Sequence, residues 1–154
     1  MLKKIFLIII SFNLLTHCEY KPVYSNQNNV DYKIIITSFN GDKFINNLVA
    51  ENLKKNSKNQ SNEIIDVSFD TEYTKNVLAK NSIGTITDYQ SNVIATFVLK
   101  KGENIERFVV NEKFNFQKIT DKYEEKNYEQ NIKKNLAISI SQKLITRLAM
   151  IKWF

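Results

Sequence analysis

Four residue types are nearly missing from this chain of 154 residues: it has three glycines, one proline, one histidine and one cysteine. Few glycines and prolines mean few places where the backbone must break its regular course, so the chain should be dense in helix and strand with short connections. A single cysteine, Cys18, excludes an intramolecular disulfide even in an oxidising compartment, so the core has to hold by packing alone. With His17 the only histidine, the residues for Cys/His or Ser/His nucleophiles and for the common zinc sites are lacking. There is no glycine-rich phosphate loop and no internal repeat. Arginine is scarce too, with Arg107 and Arg147 the only two, so lysine carries the positive charge. These absences predict a protein that is not an enzyme and needs neither cofactor nor metal.

The longest apolar stretch is also too short for a membrane span. Ile5 to Leu15, broken only by Ser11 and Asn13, reaches roughly 16 Å as a helix against a hydrocarbon core of roughly 30 Å. Preceded by Lys3 and Lys4, it reads as the apolar centre of a signal peptide over residues 1–17. Cys18 follows directly, with Leu15 three residues before it and Thr16 two before it, the pattern of a bacterial lipoprotein processing site. There the Cys18 thiolate takes a diacylglyceryl group, and cleavage leaves an acylated residue as the first of the mature chain. His17 departs from the small residue that the peptidase normally meets. Several acyl chains, palmitate among them, hold a protein on a membrane stably where one does so only marginally. The rival reading is an ordinary secretory signal followed by a buried cysteine.

The formal charge is +6, and loss of Lys3 and Lys4 with the leader would bring it to +4. A lysine-borne excess permits contact with anionic lipid, and export disfavours nucleic acid as a partner.

Residues 18–31 read as a lipidated tether, polar and aperiodic from Ser25 to Asp31, and residues 32–154 as one domain. Lys33 to Phe39 is a β-branched run with little alternation, which predicts an inner strand shielded on both faces. Asn40-Gly41-Asp42 breaks it and offers an N-cap for a helix over 42–57, with Phe44, Ile45, Leu48, Val49 and Leu53 on one face. From Ile65 the period becomes two. Ile65, Val67, Phe69, Thr71 and Tyr73 share one face, followed after a turn at 81–84 by Val93, Ala95, Phe97 and Leu99, and after a second turn at 101–104 by Phe108, Val110, Phe114 and Phe116. Glu112 interrupts the last of these faces and reads as solvent-exposed. Asp121 with Glu124 three residues on has capping-box spacing, opening a long helix whose stripe runs through Tyr128, Ile132, Leu136, Ala137, Ile140, Leu144, Ile145, Leu148 and Ala149. Met150 to Phe154 is apolar enough to pack on the domain or on a partner. The order βαβββα predicts an α+β two-layer sandwich, a four-stranded, mostly antiparallel sheet with two helices on one face. Its other face, with Asp66, Asp70, Glu72 and Asp88, would be open to water or a partner. Asp66, Asp70 and Glu72 share one strand face, but alternating carboxylates are the ordinary solvated side of a strand.

Cys18-Glu19-Tyr20-Lys21-Pro22-Val23-Tyr24 resembles the start of mature LptE-type lipoproteins, the lipopolysaccharide-assembly family, in its alphaproteobacterial form; Glu19 replaces a glycine. Thr87-Asp88-Tyr89-Gln90 is similar to the opening of that family's third strand, though Asp88 stands where many relatives are basic. Leu144-Ile145-Thr146-Arg147-Leu148 is similar to the end of its closing helix. The resemblance implies a lipid-anchored protein on the periplasmic side of the outer membrane. It would plug the β-barrel of LptD one-to-one, assisting barrel assembly and lipopolysaccharide transport to the outer leaflet, with lipopolysaccharide itself a partner. The alternative is a lipid-anchored, periplasm-facing binder of small lipids or an envelope scaffold, for which an enclosed apolar pocket between sheet and helices would be the sign.

Overall fold

The computed structural model describes residues 30–151; the expected leader, Cys18, residues 18–29 of the tether and the terminal Trp153 and Phe154 lie outside the described residues. Six elements follow one another: β1 (Lys33–Gly41), α1 (Lys43–Asn56), β2 (Ile64–Lys80), β3 (Ile86–Lys101), β4 (Asn104–Gln117) and α2 (Lys122–Met150). The strands lie side by side in chain order, β1 parallel to β2 and the others antiparallel. Both helices cover one face of this sheet, so the chain forms the expected α+β sandwich.

Alternation decides which side of each strand is buried. Ile65, Val67, Phe69 and Thr71 of β2 point under the helices, and the register places Leu99, Phe97, Ala95 and Val93 of β3 opposite or beside them. Ile45, Val49 and Leu53 of α1 and Ile132, Leu136, Ile140, Leu144 and Leu148 of α2 close the core from above. Four expected members of these stripes, Phe44, Phe114, Tyr128 and Ala149, are exposed. No helix among the described residues is long and apolar enough to cross a membrane.

β1 corrects one expectation. It is an edge strand, paired only with β2, and not an inner one. Ile34 is buried while the adjacent Ile35 is 38% exposed on the far face of the sheet. Its unbroken β-branched run therefore reflects strand propensity rather than cover on both sides. A register shift between Ile36 and Ser38 also moves successive side chains across the sheet, which erases the alternation that an edge strand normally shows.

Asp42 caps α1, its carboxylate accepting from the Phe44 and Ile45 N–H groups at 3.0 Å each. Asp121 does the same for α2, accepting from Tyr123 and Glu124 at 2.9 Å each. Both caps fall where the sequence places them. The fold begins slightly before residue 32, because Val30 is buried at 1% exposure. Ser61 donates its hydroxyl to the Asp31 carbonyl at 2.6 Å, and the Ser57 hydroxyl accepts from the Ile34 N–H at 2.8 Å. The loop leaving α1 thereby fixes the entry of the chain into the sheet.

Candidate functional site: the open sheet face

The helices leave the other face of the sheet uncovered. Register and alternation put Asp66, Ser68, Asp70, Glu72, Thr74 and Asn76 of β2 on it, beside Lys100, Val98, Thr96, Ile94, Asn92 and Gln90 of β3. β4 adds Ile105, Arg107, Val109, Asn111, Lys113 and Asn115 in the facing positions. At the end where β3 meets β4 by its turn, the face is mixed: Val109 and Ile105 are 59% and 63% exposed beside Val98, with Arg107 and Lys100 around them. Toward the other end one row is all amide, with Asn76, Gln90 and Asn115 aligned across three strands, and the row before it joins Thr74 and Asn92 to Lys113. Gln90 donates to Asn115 across the strands at 2.9 Å. The Asn92 Oδ1 is shielded from solvent and has no hydrogen-bond partner within the described residues.

The three carboxylates of β2 do not converge. Strand geometry puts Asp66 and Asp70 about 13 Å apart along the same face. Asp70 accepts from the Asn40 side chain at 3.2 Å. Among the described residues no group of three histidine, cysteine, aspartate or glutamate side chains is placed to hold a metal ion.

Glu112 is not solvent-exposed as the sequence suggested. β4 runs without a bulge, so Glu112 faces the helices opposite the fully buried Val93, and its side chain is 16% exposed. Lys143 of α2 reaches down to it as an ion pair. Arg147, one α-helical turn on, pairs with Glu106 and lies over the Phe108 ring, so α2 is clamped to β4 at two successive levels.

A second polar seam holds the other half of the helix layer. Lys133 of α2 bonds the capping carboxylate of Asp42 at 2.8 Å and sits 4.0 Å above the Tyr73 ring. The Tyr73 hydroxyl donates to Glu129 at 2.9 Å and lies 2.9 Å from the Ser91 hydroxyl. Lys75 completes the chain with bonds of 2.5 Å to Glu125 and 3.1 Å to Glu129, over the rings of Tyr89 and Phe116. Burial, joined by the nearby Glu129 carboxylate, drives the Tyr73 phenol well above its ordinary pKa. Burial would raise Asp42, but Lys133 and the two backbone N–H groups outweigh it and hold its carboxyl below the usual range. Burial would likewise lower Lys75, but its two glutamates outweigh that and raise it. These groups are spent on one another, so they fix helix on sheet rather than wait for a substrate.

The space between sheet and helices is filled by side chains. Phe97, Ile45, Leu53, Ile140, Leu144 and Leu148 are fully buried there. Two open grooves of about 460 and 470 Å³ lie at its margins, one where β4 meets α2, bordered by Asp88, Phe116, Ile119 and Tyr128, the other between the helices, bordered by Phe44, Lys126, Gln130 and Lys133.

No family model and no curated protein matches this chain. Among solved structures, rare lipoprotein B from Shewanella oneidensis matches with a TM-score of 0.54 at 14% identity, over 73% of this chain and 96% of that one. A putative lipoprotein from Caulobacter crescentus matches with a TM-score of 0.50 at 9% identity, over 79% of this chain and 90% of that one. At such identities the likeness is one of fold. The chain has a fold that bacterial lipoproteins use.

The amide row of the open face escaped sequence reasoning. Asn and Gln recur at alternate positions in β3 and β4, but only the pairing register lines up Asn76, Gln90 and Asn115.

Proposed function

We propose that this chain is an outer-membrane lipoprotein, anchored through Cys18, that occupies the lumen of an LptD-type β-barrel, assists its assembly and serves lipopolysaccharide transport. The observation that carries the reading is the open sheet face, wide, pre-formed and polar, with charges of both signs interspersed among amides and hydroxyls. Such a mixed polar face suits the polar interior of a barrel, where each group finds either a side chain or water as partner. The lipoprotein-like order of residues 18–24 and the fold shared with lipoproteins support it from two other directions. In this reading the protein performs no chemistry of its own. The rival, a small-lipid binder, needs an enclosed apolar pocket between the layers, where Phe97 of β3 and Ile140 and Leu144 of α2 instead lie fully buried.

The test is co-purification. Tagged full-length protein is expressed in a diderm host with its cognate LptD, and outer membranes are extracted in mild detergent. A one-to-one pair supports the proposal. Folded LptD that emerges without this protein, while this protein is lipidated, overturns it.

A further inference from the structure

β2 and β3 run on past the rest of the fold. β4 ends at Gln117, opposite Asp88, and the chain after it makes one more bond, from the Lys118 N–H to the Thr87 carbonyl at 2.7 Å, so residues 78–86 form a two-stranded ribbon with no third strand beside it. An isolated two-stranded ribbon gains little from burial and is expected to be polar. This one is not. Leu78 is 49% exposed, Val77 in a three-stranded row behind it is 46% exposed, and Ile83 at the apex is 83% exposed, the most exposed of the large apolar side chains described.

The apex is built to hold Ile83 outward. Asn81 accepts through Oδ1 from the N–H groups of Ile83 and Thr85, at 3.2 and 2.9 Å, while its own N–H donates to the Thr85 carbonyl at 2.9 Å. Gly84 takes the left-handed conformation that the turn requires, with φ +83°. Turn chemistry is thus satisfied by Asn81 and Gly84, and nothing in it calls for a β-branched apolar residue between them.

Charge indicates what the ribbon meets. In a chain with 16 acidic residues, none lies between Tyr73 and Thr87, while Lys80 stands on the ribbon without an ion-pair partner among the described residues. Apolar side chains at the apex with an unpaired lysine behind them match a bilayer surface in cross-section: hydrocarbon first, then an anionic headgroup layer. We infer that the β2–β3 hairpin tip inserts Ile83, with Leu78 and Val77 behind it, into the surface of a bilayer containing anionic phospholipid. The tip is far from the chain's entry at Val30, which lies beside the start of β2 at the opposite end of the sheet. It is therefore a second membrane contact, separate from an anchor at Cys18.

The test uses residues 18–154 carrying Cys18→Ser, a chain that keeps every buried residue described, with its fold checked by a cooperative thermal melt. One thiol is introduced by Ile83→Cys and, as control, by Glu103→Cys in the turn at the other end of the sheet; each is labelled with the same environment-sensitive fluorophore. Vesicles of phosphatidylglycerol and phosphatidylethanolamine carry a nitroxide quencher on their acyl chains. The label at 83 is expected to shift to the blue and be quenched while the label at 103 keeps its aqueous emission, with a weaker response on phosphatidylcholine alone. Aqueous emission from both labels, or an equal response from both, overturns the inference and assigns the apolar tip to contact with protein. The vesicles contain no barrel, so neither result depends on the LptD reading.

Discussion

The carbonyl oxygen of Thr71 occupies the space beside Gly41 so closely that a Cβ on Gly41 would stand 1.8 Å from it. That oxygen also accepts from the Asp42 N–H at 3.2 Å, so the turn from β1 into α1 is fastened to β2 at the point where the helix cap begins. Gly41→Ala meets both a backbone clash and a φ of +100°, and should cost more than about 3 kcal/mol, read as a collapse of the urea midpoint. Gly84→Ala is the control. Its φ of +83° carries strain of about 1–2 kcal/mol, but no atom lies within 4 Å of the added Cβ.

Asn46 sits beneath that turn at 1% exposure and joins its two sides, donating to the Asn40 carbonyl at 2.9 Å and accepting from the Thr71 hydroxyl at 2.6 Å. Asn46→Ala strands both partners in a buried site and should cost about 2–3 kcal/mol. Thr71→Val in the same chain removes one stranded group, so the double variant should be more stable than the sum of the single losses. A strictly additive double-mutant cycle would show that the two side chains do not act as a unit.

Tyr73 makes the fold sensitive to alkali. Its phenol titrates higher in the folded protein than in the unfolded chain, where it ionises near pH 10. Below that pH its contribution is complete. As pH rises past it the unfolded state loses the proton first, and stability falls. Lys75, also raised, adds to the same decline. Tyr73→Phe should lose about 1 kcal/mol at neutral pH for its hydrogen bonds to Glu129 and Ser91. Its denaturation midpoint should then fall less steeply than that of the parent between pH 9 and 11, about a unit either side of the ordinary tyrosine value. Parallel curves would exclude Tyr73 as the group responsible.

Cys18→Ala tests the anchor. With the lipoprotein reading correct, this variant takes up no radiolabelled palmitate and leaves the membrane fraction on mild extraction, while the parent is labelled and stays with the membrane. Label retained on a chain that has no other cysteine would place the acyl group elsewhere and remove the basis for the anchor.

What could be read in advance was whatever repeats along the chain. Val93, Ala95, Phe97 and Leu99 alternate because one side of β3 is covered and the other is not, and that signal is local. The stripe from Ile132 to Leu148 and the two aspartate caps are local in the same sense. The position of β1 was not, because Ile34-Ile35-Ile36 has the same composition whether it lies inside a sheet or at its edge. Glu112 failed for a related reason. A carboxylate on an apolar face looks misplaced until Lys143, 31 positions later, is brought above it by the closing helix. The amide row of the open face likewise exists only across strands, so no single segment announces it.

Val109 separates partner binding from folding. It stands on the open face at 59% exposure, next to Thr96 of β3 and one row from Val98 and Arg107, and contributes nothing to the core under the helices. Val109→Glu should therefore shift unfolding by no more than about 0.5 kcal/mol. If this face lies against a barrel wall, however, the new carboxylate must be desolvated there without a prepared partner, a penalty of several kcal/mol at a close-packed contact. Recovery of the complex with LptD should then drop sharply although the free protein melts as before. Val110→Glu, one residue on, points into the core at 3% exposure and should unfold the protein instead. A Val109→Glu chain that is stable and still pairs fully with LptD would direct attention to the helix layer as the contact surface, since that is the one other broad face the fold presents.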